Sequence, residues 1–279
     1  MIAYTVLLTL LFIQPLTRLM VYAAGSDLHS HIVLVPFVAG YLLYDRRAAL
    51  PAPGRRSLAG ATLPGTAGIV ALAAGFMWRG SLSLNDHLAL MALAYVSLLA
   101  AGGFLFLGAK WMASAAFPVA FLIFMAPLPD AAVNWLENAS AIASAEATAW
   151  YFAAAGTPNV RHGTVFELPG IVIQVAQECS GIRSSWVLFI TSLLAAHLFL
   201  ESPWRRFVLV AFVIPLGILR NGFRVFVIGM LCVRVGPHMI DSVIHHRGGP
   251  IFFALSLVPL FLLLWWLRRG ERRGASPRA

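Results

Sequence analysis

The sequence is short of charge. Only 11% of its 279 residues are Asp, Glu, Lys or Arg, while 60% are hydrophobic. A soluble domain carries roughly a quarter charged residues, so this chain cannot cover a water-facing surface of its size. Cysteine is also scarce. Cys179 and Cys232 stand far apart, which argues against a disulfide framework. The N-terminus lacks a basic leader and a small-residue cleavage site, so it reads as a retained first span. There is no internal repeat. No Cys or carboxylate cluster has metal-ligand spacing, and the adjacent His245 and His246 make a poor chelate. Neither a metal nor another cofactor is expected.

What the chain does have is apolar runs, several reaching the ~20 residues that cross a hydrocarbon core. Lipid offers no partner to open backbone groups, so the expected fold is an all-α polytopic membrane protein. About eight spans are expected, near Ala3–Tyr22, His29–Tyr44, Leu63–Trp78, Asp86–Leu107, Trp111–Leu128, Ser180–Leu200, Arg206–Val235 and Pro250–Leu267. Pro15, Pro36, Pro118 and Pro215 fall inside them, where they are expected to kink the helices.

Basic residues set the orientation. With the N-terminus in the cytoplasm, inner flanks hold Arg46, Arg47, Arg55, Arg56, Lys110, Arg205, Arg206, Arg268, Arg269, Arg272, Arg273 and Arg278. Outer flanks hold Arg79, Arg161, Arg183, Arg234 and Arg247. Twelve against five favours both termini on the cytoplasmic side of an inner membrane. The net charge of +9 therefore reads as topology-setting charge in loops and tails, not as a nucleic-acid surface. Residues 1–267 read as a single transmembrane domain and 268–279 as a basic, disordered cytoplasmic tail.

One segment, about 129–178, is expected to be an extracytoplasmic insertion. Asn134–Ala155 is alanine-rich with interspersed aromatics, as in a helix lying at the interface or packed across the bundle. Asn159–Gln177 alternates apolar residues around Leu168-Pro169-Gly170, which predicts a short β-hairpin before span six.

Three places set unusual polar residues beside apolar helix. The first is Glu178-Cys179-Ser180-Gly181-Ile182-Arg183, at the outer mouth of span six. Ser180 is expected to cap the helix. A helix N-terminus and a nearby arginine both favour the Cys179 thiolate. The second is Arg220-Asn221-Gly222-Phe223-Arg224 within span seven. Two arginines four residues apart share a helix face. Buried in a span, they need a partner, either a structural ion pair or a reacting group. The third is His245-His246-Arg247-Gly248-Gly249, at the outer mouth of span eight, where a histidine can serve a nearby nucleophile as acid or base. Cys232, among Met230, Leu231 and Val233, reads as packing. His29, His31 and His87 read as structural or solvated.

At these residues the sequence resembles the exosortase/archaeosortase family of membrane-embedded cysteine transpeptidases. The likeness extends to Ser30-His31, Val35-Pro36, Met125-Ala126-Pro127-Leu128-Pro129 and Pro215-Leu216. The resemblance implies a Cys, Arg and His active site, falling on Cys179, Arg224 and His245. His246, Glu178, Arg183, Ser180, Arg220 and Asn221 stand as supporting or alternative groups. It also implies membrane-protein substrates whose C-terminal sorting signal joins a short motif, one transmembrane helix and a basic tail. Cleavage is expected at the outer leaflet, with the acyl group passing to an envelope lipid or glycan or to water, in association with exopolysaccharide production. Other classes remain open at this point: a multi-pass transporter or scaffold built around Arg220 and Arg224, or an envelope glycan or lipid transferase.

Overall fold

The structure, a computed structural model, describes residues 1–26, 28–175, 181–241 and 249–274. Packing divides the chain into two compact units, Met1–Val133 and Asn134–Ala279.

The first unit contains α1 (Ile2–Leu11), α2 (Ile13–Ala24), α3 (Val35–Asp45), α4 (Leu58–Met77), α5 (Leu84–Phe106), α6 (Ala109–Ser114) and α7 (Ala116–Phe121). Short 3-10 turns lie at Ser30–Val33 and Leu122–Met125. α4 and α5 form an antiparallel pair, and each starts on a serine cap. Ser57 Oγ accepts from Gly60 N–H and Ser83 Oγ from Asp86 N–H, both at 3.1 Å, which satisfies backbone donors left open at a helix start. Gly68 faces α5 so closely that a Cβ there would lie 3.2 Å from the Ala94 carbonyl. Small residues at such crossings are how apolar helices approach in lipid.

In the second unit, α8 (Asp130–Ala154) leads to β1 (Val160–His162), β2 (Val165–Leu168) and β3 (Ile171–Gln174). These strands form a three-stranded antiparallel sheet in the order β1-β2-β3, where the sequence pattern led us to expect a single hairpin. The β1 strand is easily missed because Val160-Arg161-His162 carries one apolar residue. Gly163 and Gly170 make the two turns with φ of +64° and +83°, a region glycine enters without steric cost. Phe166, Leu168 and Ile173 point inward and pack with Phe152 of α8. Next come α9 (Ile182–Phe199), α10 (Pro203–Ala211), α11 (Val213–Arg234) and α12 (Gly249–Gly274). Leu188, Leu209, Leu216 and Leu260, one from each helix, meet in their shared core.

Among the described residues, five helices are long and apolar enough to cross a membrane. The number rises to seven if two bent pairs each count as one span. Large apolar side chains such as Phe76, Phe261, Trp265 and Trp266 are exposed along these helices. Water would penalise that surface and lipid would not. The protein is thus a mostly helical, multi-pass membrane protein.

The expected eight continuous spans differ from this in an instructive way. Ala3–Tyr22 is two helices bent by 71°. The region near Trp111–Leu128 is broken into α6, α7 and a 3-10 turn. His29–Tyr44 holds a 3-10 turn followed by the 11-residue α3. The four prolines explain much of this. Pro15, Pro118 and Pro215 are each the third residue of a helix, and Pro36 is the second of α3. A proline ring clashes with the carbonyl four residues back and has no N–H to donate. The helix therefore breaks before Pro15, Pro36 and Pro118, and each proline sits in a new first turn; at Pro215, α10 and α11 still make one 32-residue apolar span, Pro203–Arg234, as expected for span seven. The tail differs as well. α12 continues through Arg268, Arg269 and Glu271 to Gly274. Glu271 accepts from the Glu201 and Ser202 N–H groups, the latter at 2.8 Å, at the start of α10.

Candidate active site

Glu178, Cys179, Ser180, His245 and His246 lie outside the described residues. The site is therefore built from the groups around them: Gly181, Arg183 and the polar face of α11.

α9 begins at Ile182 with Gly181 in the N-cap position, where Ser180 was expected. Gly181 has φ +72°, a left-handed conformation that a side chain would resist. A Cβ there would also lie 3.0 Å from both Arg220 Nη2 and Asn221 Oδ1. This glycine is thus required twice, by its backbone and by the close approach of α11. Its carbonyl accepts from Arg220 Nη2 at 3.0 Å, from Ser184 Oγ at 3.1 Å and from the Ser185 N–H at 3.0 Å.

Arg220 is only 8% exposed. Besides Gly181, its Nη2 donates to Ser185 Oγ at 3.1 Å. No carboxylate pairs with it among the described residues. A guanidinium buried in a span costs several kcal/mol unless its donors are satisfied, and here a backbone carbonyl and a serine meet part of that need. Arg220 therefore acts on the backbone that opens α9. Gly217, one turn earlier on α11, makes room for this contact, since a Cβ there would stand 2.7 Å from Ser185 Oγ.

Asn221 is buried and donates to Ser144 Oγ of α8 at 3.0 Å. Thr148 Oγ1 donates to the Gly222 carbonyl at 3.2 Å and to the Ser144 carbonyl at 2.7 Å. Gly222 lies against α8, where a Cβ would stand 2.7 Å from Ala147 Cβ. The Arg220–Arg224 motif is therefore held from both sides, by α9 through Arg220 and by α8 through Asn221 and Gly222. Arg224 follows one turn after Arg220 and is partly buried. Arg183, in the first turn of α9, is exposed.

The structure thus brings Arg220 and Asn221 together with Gly181, the residue two positions after Cys179 in the sequence. It also gives a partner role to Ser185 and identifies Ser144 and Thr148, which sequence reasoning passed over. A signal for both was present: Ser140, Ser144 and Thr148 recur every four residues along alanine-rich α8, a polar line on one helix face. Cys232, by contrast, is buried on α11, as packing requires.

A family model described as transmembrane exosortase matches residues 22–262. The chain belongs to the transmembrane exosortase family. The match spans the α8–α11 lock, both arginines and the segments holding Cys179 and His245. No curated protein and no solved structure matches the chain. Exosortase membership accords with the membrane-embedded, mostly helical fold.

Proposed function

We propose that this exosortase is a cysteine transpeptidase that removes the C-terminal sorting signal of exported membrane proteins. The observation that carries the reading is the Arg220–Gly181 hydrogen bond, which ties the arginine face of α11 to the chain next to Cys179. It supports a site in which a cysteine and an arginine act together.

The Cys179 thiolate attacks the carbonyl carbon of the scissile peptide bond, forming an S–C bond and an oxyanion. Arg224, with Arg183 or backbone N–H groups near Gly181, stabilises that charge. On collapse the C–N bond breaks, and the leaving amine takes a proton from the His245 imidazolium. A thioester on Cys179 remains. The neutral His245 then takes the proton of an acceptor hydroxyl or amine, which attacks the thioester and releases the thiolate. Glu178, Ser180 and Asn221 support the geometry, and His246 is the neighbour from which His245 must be distinguished. The loop charges support a location in the bacterial inner membrane with both termini cytoplasmic and the site facing outward. Substrates are membrane proteins ending in a motif, one span and a basic tail, and the acceptor is a lipid or glycan.

The test is a cellular one. A co-occurring protein with such a C-terminus is expressed beside wild type or Cys179→Ala, and its mature C-terminus is read by mass spectrometry. Wild type is expected to trim it and Cys179→Ala to leave the full signal in place. Equal trimming by both would sink the mechanism.

A further inference from the structure

A cavity of about 320 Å³ is lined wholly by residues of the Met1–Val133 unit. Its polar lining residues are Gln14 and Arg18 of α2, Arg79 just after α4, and His87 in the first turn of α5. The rest of the lining is apolar, with Phe12, Leu72 and Phe76 among it. Gln14 and Arg18 stand four residues apart and so share a face of α2.

The charge on this cavity is unbalanced. Among the described residues, no carboxylate lines it. Neither Arg18 nor Arg79 has an ion pair among the described residues. Asp86, beside His87 in sequence, already accepts the Asp130 N–H at 2.8 Å. His87 Nδ1 is buried and has no hydrogen-bond partner among the described residues. Two arginines, a glutamine and a histidine among the residues lining one space ask for a compact anion with several acceptor oxygens. The apolar walls ask for hydrocarbon. Arginine on a membrane helix normally finds such a partner or reaches for the interface.

We infer that this cavity binds the phosphate of an anionic phospholipid, with Arg18 and Arg79 on the phosphate and an acyl chain along Leu72 and Phe76. The phosphate chemistry alone would also admit free inorganic phosphate. The apolar walls favour the lipid, because a free ion gains nothing from them. The site is independent of Cys179 chemistry.

The full-length protein is reconstituted in nanodiscs of mixed phosphatidylglycerol and phosphatidylcholine, and retained lipid is weighed by native mass spectrometry. Wild type is expected to retain phosphatidylglycerol in preference, and added millimolar inorganic phosphate is expected to leave that preference intact. Arg18→Gln and Arg79→Gln are each expected to weaken it roughly fivefold, in line with about 1 kcal/mol per basic residue at an anionic surface. Leu72→Trp keeps both arginines and fills the apolar wall, so it guards against a charge variant that fails to fold. It too is expected to lose the lipid. Equal retention of both lipids by wild type, undiminished preference in a well-folded Arg18→Gln/Arg79→Gln protein, or full displacement by inorganic phosphate would each overturn the proposal.

Discussion

At the scale of single residues, Arg220 and Arg224 illustrate how two identical side chains one turn apart come to differ. Arg220 donates from its Nη2 to the Gly181 carbonyl and Ser185 Oγ, which under the proposed mechanism gives it a positioning role. Arg224→Lys keeps the charge and loses the planar fork. It is expected to cut substrate processing on the order of a hundredfold while the protein still inserts and folds, as loss of an oxyanion donor does. Rates of signal removal in membranes check this. Arg220→Lys retains one donor toward Gly181 and is expected to be milder than Arg220→Ala. For the histidines, His245→Ala is expected to abolish processing and His246→Ala to spare most of it. The reverse pattern would reassign the acid and base.

His29 yields a prediction of another kind. It sits in the turn between α2 and α3, is 4% exposed, and has its Nδ1 3.1 Å from Ser26 Oγ. Burial pushes its imidazole down to about 4; the adjacent His31 adds to the shift and Asp130 opposes it. The folded protein therefore keeps His29 neutral, while the unfolded chain protonates it near pH 6.5. Stability is expected to fall as pH drops from about 6.5 toward 4 and to level off below. Thermal unfolding of the purified protein in detergent at several pH values measures this. His29→Gln should flatten that part of the profile, and an unchanged slope would remove His29 from the account.

At the scale of elements, the α8–α11 contact governs the arginine face. Asn221→Leu leaves the buried Ser144 hydroxyl without its donor, a loss of about 1–3 kcal/mol. Gly222→Ala drives a methyl group to within 2.7 Å of Ala147 and is expected to destabilise by a similar amount. Both should lower the unfolding temperature and reduce processing together, and normal stability with normal activity would argue against the lock. Much of this element scale was legible. Apolar runs located the helices, and residues 220 to 224 stood out because arginine in a span is costly. The helix breaks were misread because a proline signals only that the carbonyl four residues back must be vacated. Whether the chain kinks or starts a new helix depends on its neighbours. The Gly181 link was illegible for a plainer reason. Its acceptor is a backbone carbonyl, and periodicity reports which face of a helix is buried, not what lies against it.

At the scale of the whole molecule, apolar surface and loop charge make a claim about topology. A membrane-impermeant maleimide applied to intact spheroplasts is expected to label Cys179 and to spare Cys232, which is 2% exposed. Cys232→Ala should keep the label and Cys179→Ala should lose it. Labelling that appears only after the membrane is opened would reverse the orientation drawn from Lys and Arg. Family membership was legible from motif spacing over most of the chain, and the match to residues 22–262 bears it out.

The most direct test is to trap the acyl-enzyme. Purified protein is incubated with a sorting-signal peptide, quenched in acid, digested and analysed by mass spectrometry. A peptide adduct is expected on the fragment containing Cys179, released by hydroxylamine as a thioester and absent from Cys179→Ala. Peptide cleavage that proceeds with no such adduct, or unabated in Cys179→Ala, would show that Cys179 is not the nucleophile.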